Sequence, residues 1–223
     1  MSKNNVKIAV ISANLGGFDT KNEHVPQTLA HDYFMFTDKN FPPRFNAMTP
    51  RLQAKIPKCF GWQMVPDYDY YLWIDGNLTL TNPDSLKYFY DNCQDHDVVA
   101  LQHPRRNTVH WEGRYLRRGL KSGSRYMAGR YANELVDEQI AEIKADKDFV
   151  DDILVCGGVF MYRSTPKIHQ MLKEWWYHIS RYLIMDQCSF SYVLKKSGLR
   201  VNIRPDNFND CPYLAHKGHI FHY

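Results

Sequence analysis

The stretch Asp67-Tyr-Asp-Tyr-Tyr-Leu-Trp-Ile-Asp75-Gly-Asn77 constrains this chain more than any other. An apolar and aromatic run, Tyr70 to Ile74, stops at Asp75-Gly76-Asn77 and is followed by Leu78-Thr-Leu-Thr81 and Asn82-Pro83. That is the pattern of a buried strand with an acid where it runs out. In open α/β sheets ligands gather at the carboxyl ends of strands. Asp-x-Asn offers two hard oxygen donors two residues apart, suited to Mg²⁺ or Mn²⁺ carrying a diphosphate. The same tripeptide also closes strands as a plain turn, because Asp-Gly and Gly-Asn are common turn pairs. The rest of the chain has to decide between the two.

Strand-like and helix-like segments alternate along the chain. Val6 to Ile11 reads as a central strand, with Ser12-Ala13-Asn14-Leu-Gly-Gly17 as the loop leaving it. Tyr33 to Phe36 is a short strand ending in Thr37-Asp38, and Arg51 to Trp62 is helical, with Arg51 and Lys55 one turn apart. Ser85 to Asn92 predicts a helix, and Asp97 to Leu101 a strand ending at Gln102-His103-Pro104. Residues 105–150 read as charged helices broken by Gly113, Gly119, Gly123 and Gly129, and Leu154 to Tyr162 returns to strand. Thr165-Pro166 is an N-cap and first-turn pair, heading a helix whose Ile168, Met171, Leu172, Trp175, Trp176 and Ile179 form one apolar stripe. A further helix starts near Asp186, a natural N-cap for it, and Val201 to Ile203 is the last strand. At 223 residues this is one α/β domain with a full core.

Composition excludes some functions. The longest apolar run is too short for a membrane helix, and Met-Ser-Lys-Asn-Asn lacks a signal-peptide core, so the expectation is a cytoplasmic protein. Five cysteines without C-x-x-C spacing predict reduced thiols, with neither a zinc site nor a disulfide frame. There is no Gly-x-Gly-x-x-Gly after the first strand, no P-loop and no nucleophile elbow. Charge is uneven: from Arg105 to Arg130 there are seven Arg and one Lys against one acid, Glu112. That run reads either as a solvated helix face or as a docking surface for a polyanion. Trp111, Tyr115 and Tyr126 are interleaved with it, which keeps a nucleic-acid-binding module among the readings. A metal-dependent phosphoesterase or nucleotidyltransferase is a third reading, although it needs more carboxylates beside the metal than the chain offers.

Polar groups fall at the predicted strand ends or on one helix face: Ser12 to Asn14, Asp38, Arg51 with Lys55, Asp75 with Asn77, His103, Gly157-Gly158 and Asp186-Gln187. Together they suggest one rim that holds a nucleotide, a metal and a reacting group. Their order, Phe36-Thr-Asp38, Arg51-x-x-x-Lys55, the Asp67–Asn77 stretch, His103-Pro-Arg-Arg106 with Glu112, Gly157-Gly158 and Asp186-Gln-Cys-Ser-Phe190, resembles the TOD/MUCI-type glycosyltransferase-like family, from residue 6 to about 205. That family belongs among GT-A glycosyltransferases and is similar to the retaining family-8 enzymes.

The resemblance implies a single GT-A-like domain over 1–223, with a Rossmann-like mixed central sheet flanked by helices; residues 113–150 depart from the family pattern, so the charged helices around 105–150 read as a basic insertion. It implies a nucleotide-sugar donor, a UDP-sugar, with Mn²⁺ or Mg²⁺, and transfer to a hydroxyl acceptor with retention. The acceptor would be a glycan or another hydroxyl compound, anionic in character, with modified bases in DNA as the alternative. By position, Asp75 and Asn77 would be the metal motif, joined by a C-terminal histidine, His219 ahead of His216. Lys217 would neutralise the leaving group. Asp186 and Gln187 would lie on the reactive face of the sugar, and His103 and Arg106 would touch donor sugar or acceptor. Arg51 and Lys55 are placed to offset diphosphate charge as it develops.

Overall fold

The computed structural model describes residues 6–20, 23–206 and 210–217. Its elements in chain order are β1 (Ile8–Asn14), β2 (Asp32–Thr37), α1 (Pro50–Gln53), α2 (Lys55–Met64), β3 (Tyr70–Ile74), β4 (Leu78–Leu80), α3 (Ser85–Cys93) and β5 (Val98–Gln102). They continue with α4 (Val109–Lys121), α5 (Arg125–Tyr131), α6 (Val136–Ala145), β6 (Val155–Arg163), α7 (Pro166–Arg181), α8 (Gln187–Lys196), β7 (Val201–Arg204) and β8 (Leu214–His216).

Six strands form one sheet in the order β2-β1-β3-β6-β5-β7, and β4 with β8 forms a separate two-stranded sheet. Every neighbouring pair in the large sheet is parallel except the two that β6 makes, with β3 and with β5. One reversed strand in an otherwise parallel sheet brings the carboxyl ends of β1, β3 and β5 to the same edge, where β6 begins. The polar segments read from the sequence meet there.

Alternation along β3 explains the layering. Tyr71 and Trp73 enter a core shared with Trp175, Phe190 and Cys59 beneath α2, α7 and α8. Tyr70, Leu72 and Ile74 enter the opposite core with Phe89, Leu86 and Leu214, beneath α3 and the small sheet. A strand buried on both faces needs this uninterrupted apolar run. The α7 stripe behaves as predicted: Thr165 Oγ1 accepts from Ile168 N, and Trp175 is fully buried.

Three local expectations change. Ser12 to Asn14 belong to β1, not to a loop, and Ser12 is buried opposite Met35. Gly113 and Gly119 lie inside the unbroken helix α4. A Cβ at Gly113 would stand 2.8 Å from Ile140 Cδ1, and one at Gly119 would stand 2.6 Å from Met127 Cγ. These glycines let α6 and α5 press against α4, and that close packing offsets their low helix propensity. Val201 to Ile203, read as the last strand, is followed by one more, β8 at Leu214–His216. The five cysteines are all free and buried, and no described helix is long and apolar enough to cross a membrane.

Candidate active site

A cavity of about 350 Å³ opens at the sheet edge. Its walls come from the end of β1, the α1–α2 junction, Asp75 to Asn77, α4 and α5, Asp186-Gln187 and His216. A smaller cavity of about 120 Å³ shares Asp75, Asn77, Asp186, Gln187 and His216, and adds Gly158.

The centre is a chain of four charges. Lys55 opens α2 and Lys58 follows one turn later, so both ammonium groups point the same way. Lys55 Nζ donates to Asp186 Oδ2 at 2.7 Å, and Lys58 Nζ donates to the same oxygen at 2.5 Å. Lys58 Nζ also donates to Asp75 Oδ1 at 3.1 Å, an oxygen that accepts from Trp73 Nε1 at 2.7 Å. The Lys58 ammonium lies 5.4 Å from the ring centres of both Trp73 and Trp175. Burial works against charge on Lys55, Lys58 and Asp186. For Asp186 the attraction of Lys55 and Lys58 overcomes it and holds the carboxyl well below the usual range. For Lys58, Asp186 and Asp75 overcome burial and raise the ammonium. Lys55 goes the other way, lowered by burial and by the neighbouring Lys58.

Asp186 was expected to cap its helix, but its side chain makes no capping bond; it is committed to the lysines. Its backbone carbonyl accepts from Trp175 Nε1 at 3.1 Å. Gly157 leaves it room, since a Cβ there would lie 3.0 Å from Asp186 Oδ1. Gly158 O accepts from Asp75 N at 2.7 Å and fixes the turn. Gly76 is needed for close approach: a Cβ would stand 2.8 Å from the Ala13 carbonyl of β1.

The small sheet carries the tail to this point. Leu78 pairs with His216, Lys217 N donates to Asn77 O at 2.8 Å, and Asn77 Nδ2 is 3.0 Å from His216 Nε2. Of the two candidate histidines, His216 is thereby brought beside Asn77, while His219 lies outside the described residues. Among the described residues no group of three or more His, Cys, Asp and Glu side chains could hold a metal. The available set, Asp75, Asn77 and His216, instead combines a carboxylate, an amide and an imidazole. That mixture suits Mn²⁺ better than the all-oxygen shell Mg²⁺ prefers. The charges of Lys55, Lys58, Asp75 and Asp186 cancel, so a cation would bind weakly unless it arrived with an anionic ligand.

The remaining expected residues divide into wall and support. Arg51 lines the cavity with its guanidinium 5.8 Å from the Phe18 ring centre and 5.3 Å from that of Tyr131, and Nη1 donates to Arg130 O at 2.9 Å. Ala13 and Asn14 also line it. Asn14 clasps the following loop through Asp19, donating to Asp19 O at 2.7 Å and accepting from Asp19 N at 3.2 Å. Asp38 accepts from Gly16 N at 3.0 Å; Gly16 has φ +69°, a conformation glycine adopts without strain. Asp38 and Ser12 shape the site without lining it.

Arg106 lines the cavity, paired with buried Glu112, which also accepts from Gln187 Nε2 at 3.4 Å. His103 stands behind it, its Nδ1 accepting from the backbone N–H of Arg105 at 3.2 Å and of Arg106 at 3.0 Å. Burial, then Arg106 and Arg105, lower its pKa to about 4, so it is neutral at pH 7. Lys217 is exposed, and only its backbone touches the site.

Lys58 is the residue the sequence reading missed. Its signal was a lysine inside Ile56-Pro-Lys-Cys-Phe60, where a helix turns its apolar side inward and a lysine is seldom buried without a partner.

The model of the family described as TOD1/MUCI70, glycosyltransferase-like domain, matches residues 44–222. A curated protein of Arabidopsis thaliana, "Probable hexosyltransferase MUCI70", is 25% identical over 173 residues, covering 72% of this chain. The chain spans only 28% of that relative's length. A solved glycosyltransferase involved in the glycosylation of the major capsid of PBCV-1 is similar over 89% of this chain and 81% of its own, at 8% identity and a TM-score of 0.46.

Proposed function

This chain belongs to the TOD1/MUCI70 glycosyltransferase-like family, and we propose that it moves a hexosyl group from a UDP-sugar to an acceptor hydroxyl, with a divalent cation and with retention. The observation that carries this reading is the four-charge chain Lys55–Asp186–Lys58–Asp75, whose Lys55, Asp186 and Asp75 line one cavity with Lys58 buried behind them, beside Asn77 and His216.

In the reaction the bond from the anomeric carbon to the diphosphate oxygen breaks, and its electron pair leaves with the diphosphate. The acceptor oxygen bonds to that carbon and its proton passes to the departing diphosphate. A bound Mn²⁺ would supply charge compensation at the diphosphate. Asp75, Asn77 and His216 are the residues that would hold it. Lys55, on the cavity wall, adds positive charge where the leaving group becomes more negative. Asp186, with two ammonium groups on Oδ2, is a poor nucleophile. Its part is to accept hydrogen bonds from the donor sugar and fix it against Gln187.

The test is titration calorimetry of UDP with Mn²⁺ and with EDTA, followed by a screen of UDP-sugars for hydrolysis. Metal-dependent UDP binding and turnover of one donor are expected. Equal UDP affinity in both conditions would overturn the metal part, and an absence of turnover across the donors would overturn the enzyme.

A further inference from the structure

The basic run of 105–130 is sorted by the fold into two groups. Arg106 pairs with Glu112, Arg117 Nε lies 2.6 Å from Asp137 Oδ1, and the Arg130 guanidinium lies 5.0 Å from the Tyr126 ring centre. Arg105, Arg114, Arg118, Lys121 and Arg125 are exposed. Three of these exposed cations are on α4, where at 3.6 residues per turn Trp111, Arg114, Tyr115, Arg118 and Lys121 fall within an arc of about 120°. Trp111 is 53% exposed and Tyr115 44%. Large aromatic rings left in water on a basic helix face need a reason beyond solubility.

This face is continuous with the cavity. Tyr115 borders the arc, lines the cavity, and has the Arg106 guanidinium 4.1 Å from its ring centre. Tyr126 extends the wall from α5. A ligand lying along α4 would therefore reach the cavity mouth at Tyr115.

We propose that the outer face of α4 is the acceptor platform, and that its occupant is an acidic oligosaccharide carrying uronate carboxylates. The inference rests on the glycosyl-transfer reading of the adjoining cavity. Trp111 and Tyr115, one turn apart, offer flat surfaces to sugar rings. Arg114 and Arg118 match carboxylates with a two-pronged donor geometry. Extent favours an oligosaccharide over duplex nucleic acid. The strip is about 20 Å long, the length of thirteen helical residues. It is bordered by α6, which packs on α4 at Gly113–Ile140 and exposes Asp137 and Glu138. Those acids would repel the phosphates of a longer polyanion.

The experiment titrates the full chain, without donor, with a short oligomannuronate, with the same oligomer methyl-esterified, and with a DNA duplex. Each is measured at about 50 and about 300 mM salt, a range over which the Debye length shrinks by about half. We expect the acid form to bind, with affinity falling as salt rises, and the ester to bind at least about tenfold more weakly. Arg114→Glu with Arg118→Glu should cost the acid form about tenfold, in line with two exposed pairs reversed in sign. Trp111→Ala should weaken it as well. UDP affinity measured on the same variants reports that the cavity is intact. Equal binding of acid and ester, unchanged binding by the double variant, or tighter binding of the duplex would each overturn the platform. Donor hydrolysis, with water as acceptor, separates the two readings. Hydrolysis without acid binding removes the platform alone, and acid binding without hydrolysis removes the transferase.

Discussion

Lys58 and Asp186 form a buried ion pair at 2.5 Å between residues 128 apart in sequence, with the lysine side chain wholly shielded from water. The pair joins α2 to the start of α8, and through Asp75 it also ties the end of β3. Replacing only one member of such a pair leaves the other buried and uncompensated. Lys58→Met should therefore lower stability by about 3 kcal/mol, read as a drop in the urea midpoint. A loss under about 1 kcal/mol would mean that Lys55 alone satisfies Asp186.

Asp75 holds Lys58 and, in the proposed reading, would also hold the cation. Asp75→Ala should nearly abolish the Mn²⁺-dependent part of UDP binding and leave the EDTA-resistant part in place. Calorimetry in the two conditions checks this; an equal loss in both would assign Asp75 to structure alone.

Gly157 gives the Asp186 carboxylate its room. With Gly157→Ala, a Cβ 3.0 Å from Oδ1 forces Asp186 to shift. A displacement of under an ångström at a reacting centre should cut kcat roughly ten- to a hundredfold. UDP affinity should change little if, as proposed, Asp186 touches the sugar and not the nucleotide. Unchanged kcat would take Asp186 out of the sugar-contacting role.

The product should keep the anomeric configuration of the donor. An α-linked UDP-sugar should give an α-linked product by the anomeric coupling in its NMR spectrum. A β product would place Asp186 among general bases rather than sugar contacts.

His103 makes stability depend on acidity. Its folded pKa is about 4, below its ordinary 6.5, so the unfolded chain binds a proton that the folded chain refuses. Its contribution is complete above pH 6.5 and declines as pH falls toward 4. His103→Asn retains an acceptor for the Arg105 and Arg106 amides but cannot titrate. The variant should lose less stability than the parent between pH 7 and pH 5 in urea titrations. Identical losses would show that other groups carry the acid sensitivity.

How far these features were legible in the sequence depended on whether their cause was local. β3 could be read to the residue because it is buried on both faces and ends in a turn tripeptide. Thr165-Pro166 marked its helix because cap and first turn use adjacent residues. β8 is three residues long and exists through its pairing with β4, so no periodicity announces it. Gly113 and Gly119 looked like breaks because the reason for them, Ile140 and Met127 in close approach, lies on other helices. Asp186 read as a cap because its true partners sit more than a hundred residues earlier. Arg117 looked like part of a free basic face until α6 supplied Asp137.

The pairing of β4 with β8 also sets when the site can exist. Asn77 and His216 are separated by 139 residues. A ribosome adding about 5–20 residues per second needs roughly 7 to 30 s to cover that distance. For that interval Asp75 and Asn77 are already made while the strand that closes over them is not. The cavity is thus completed only once residues 214–216 have been made, and a chain cut short before residue 214 would contain most of the core and none of the closure at Asn77.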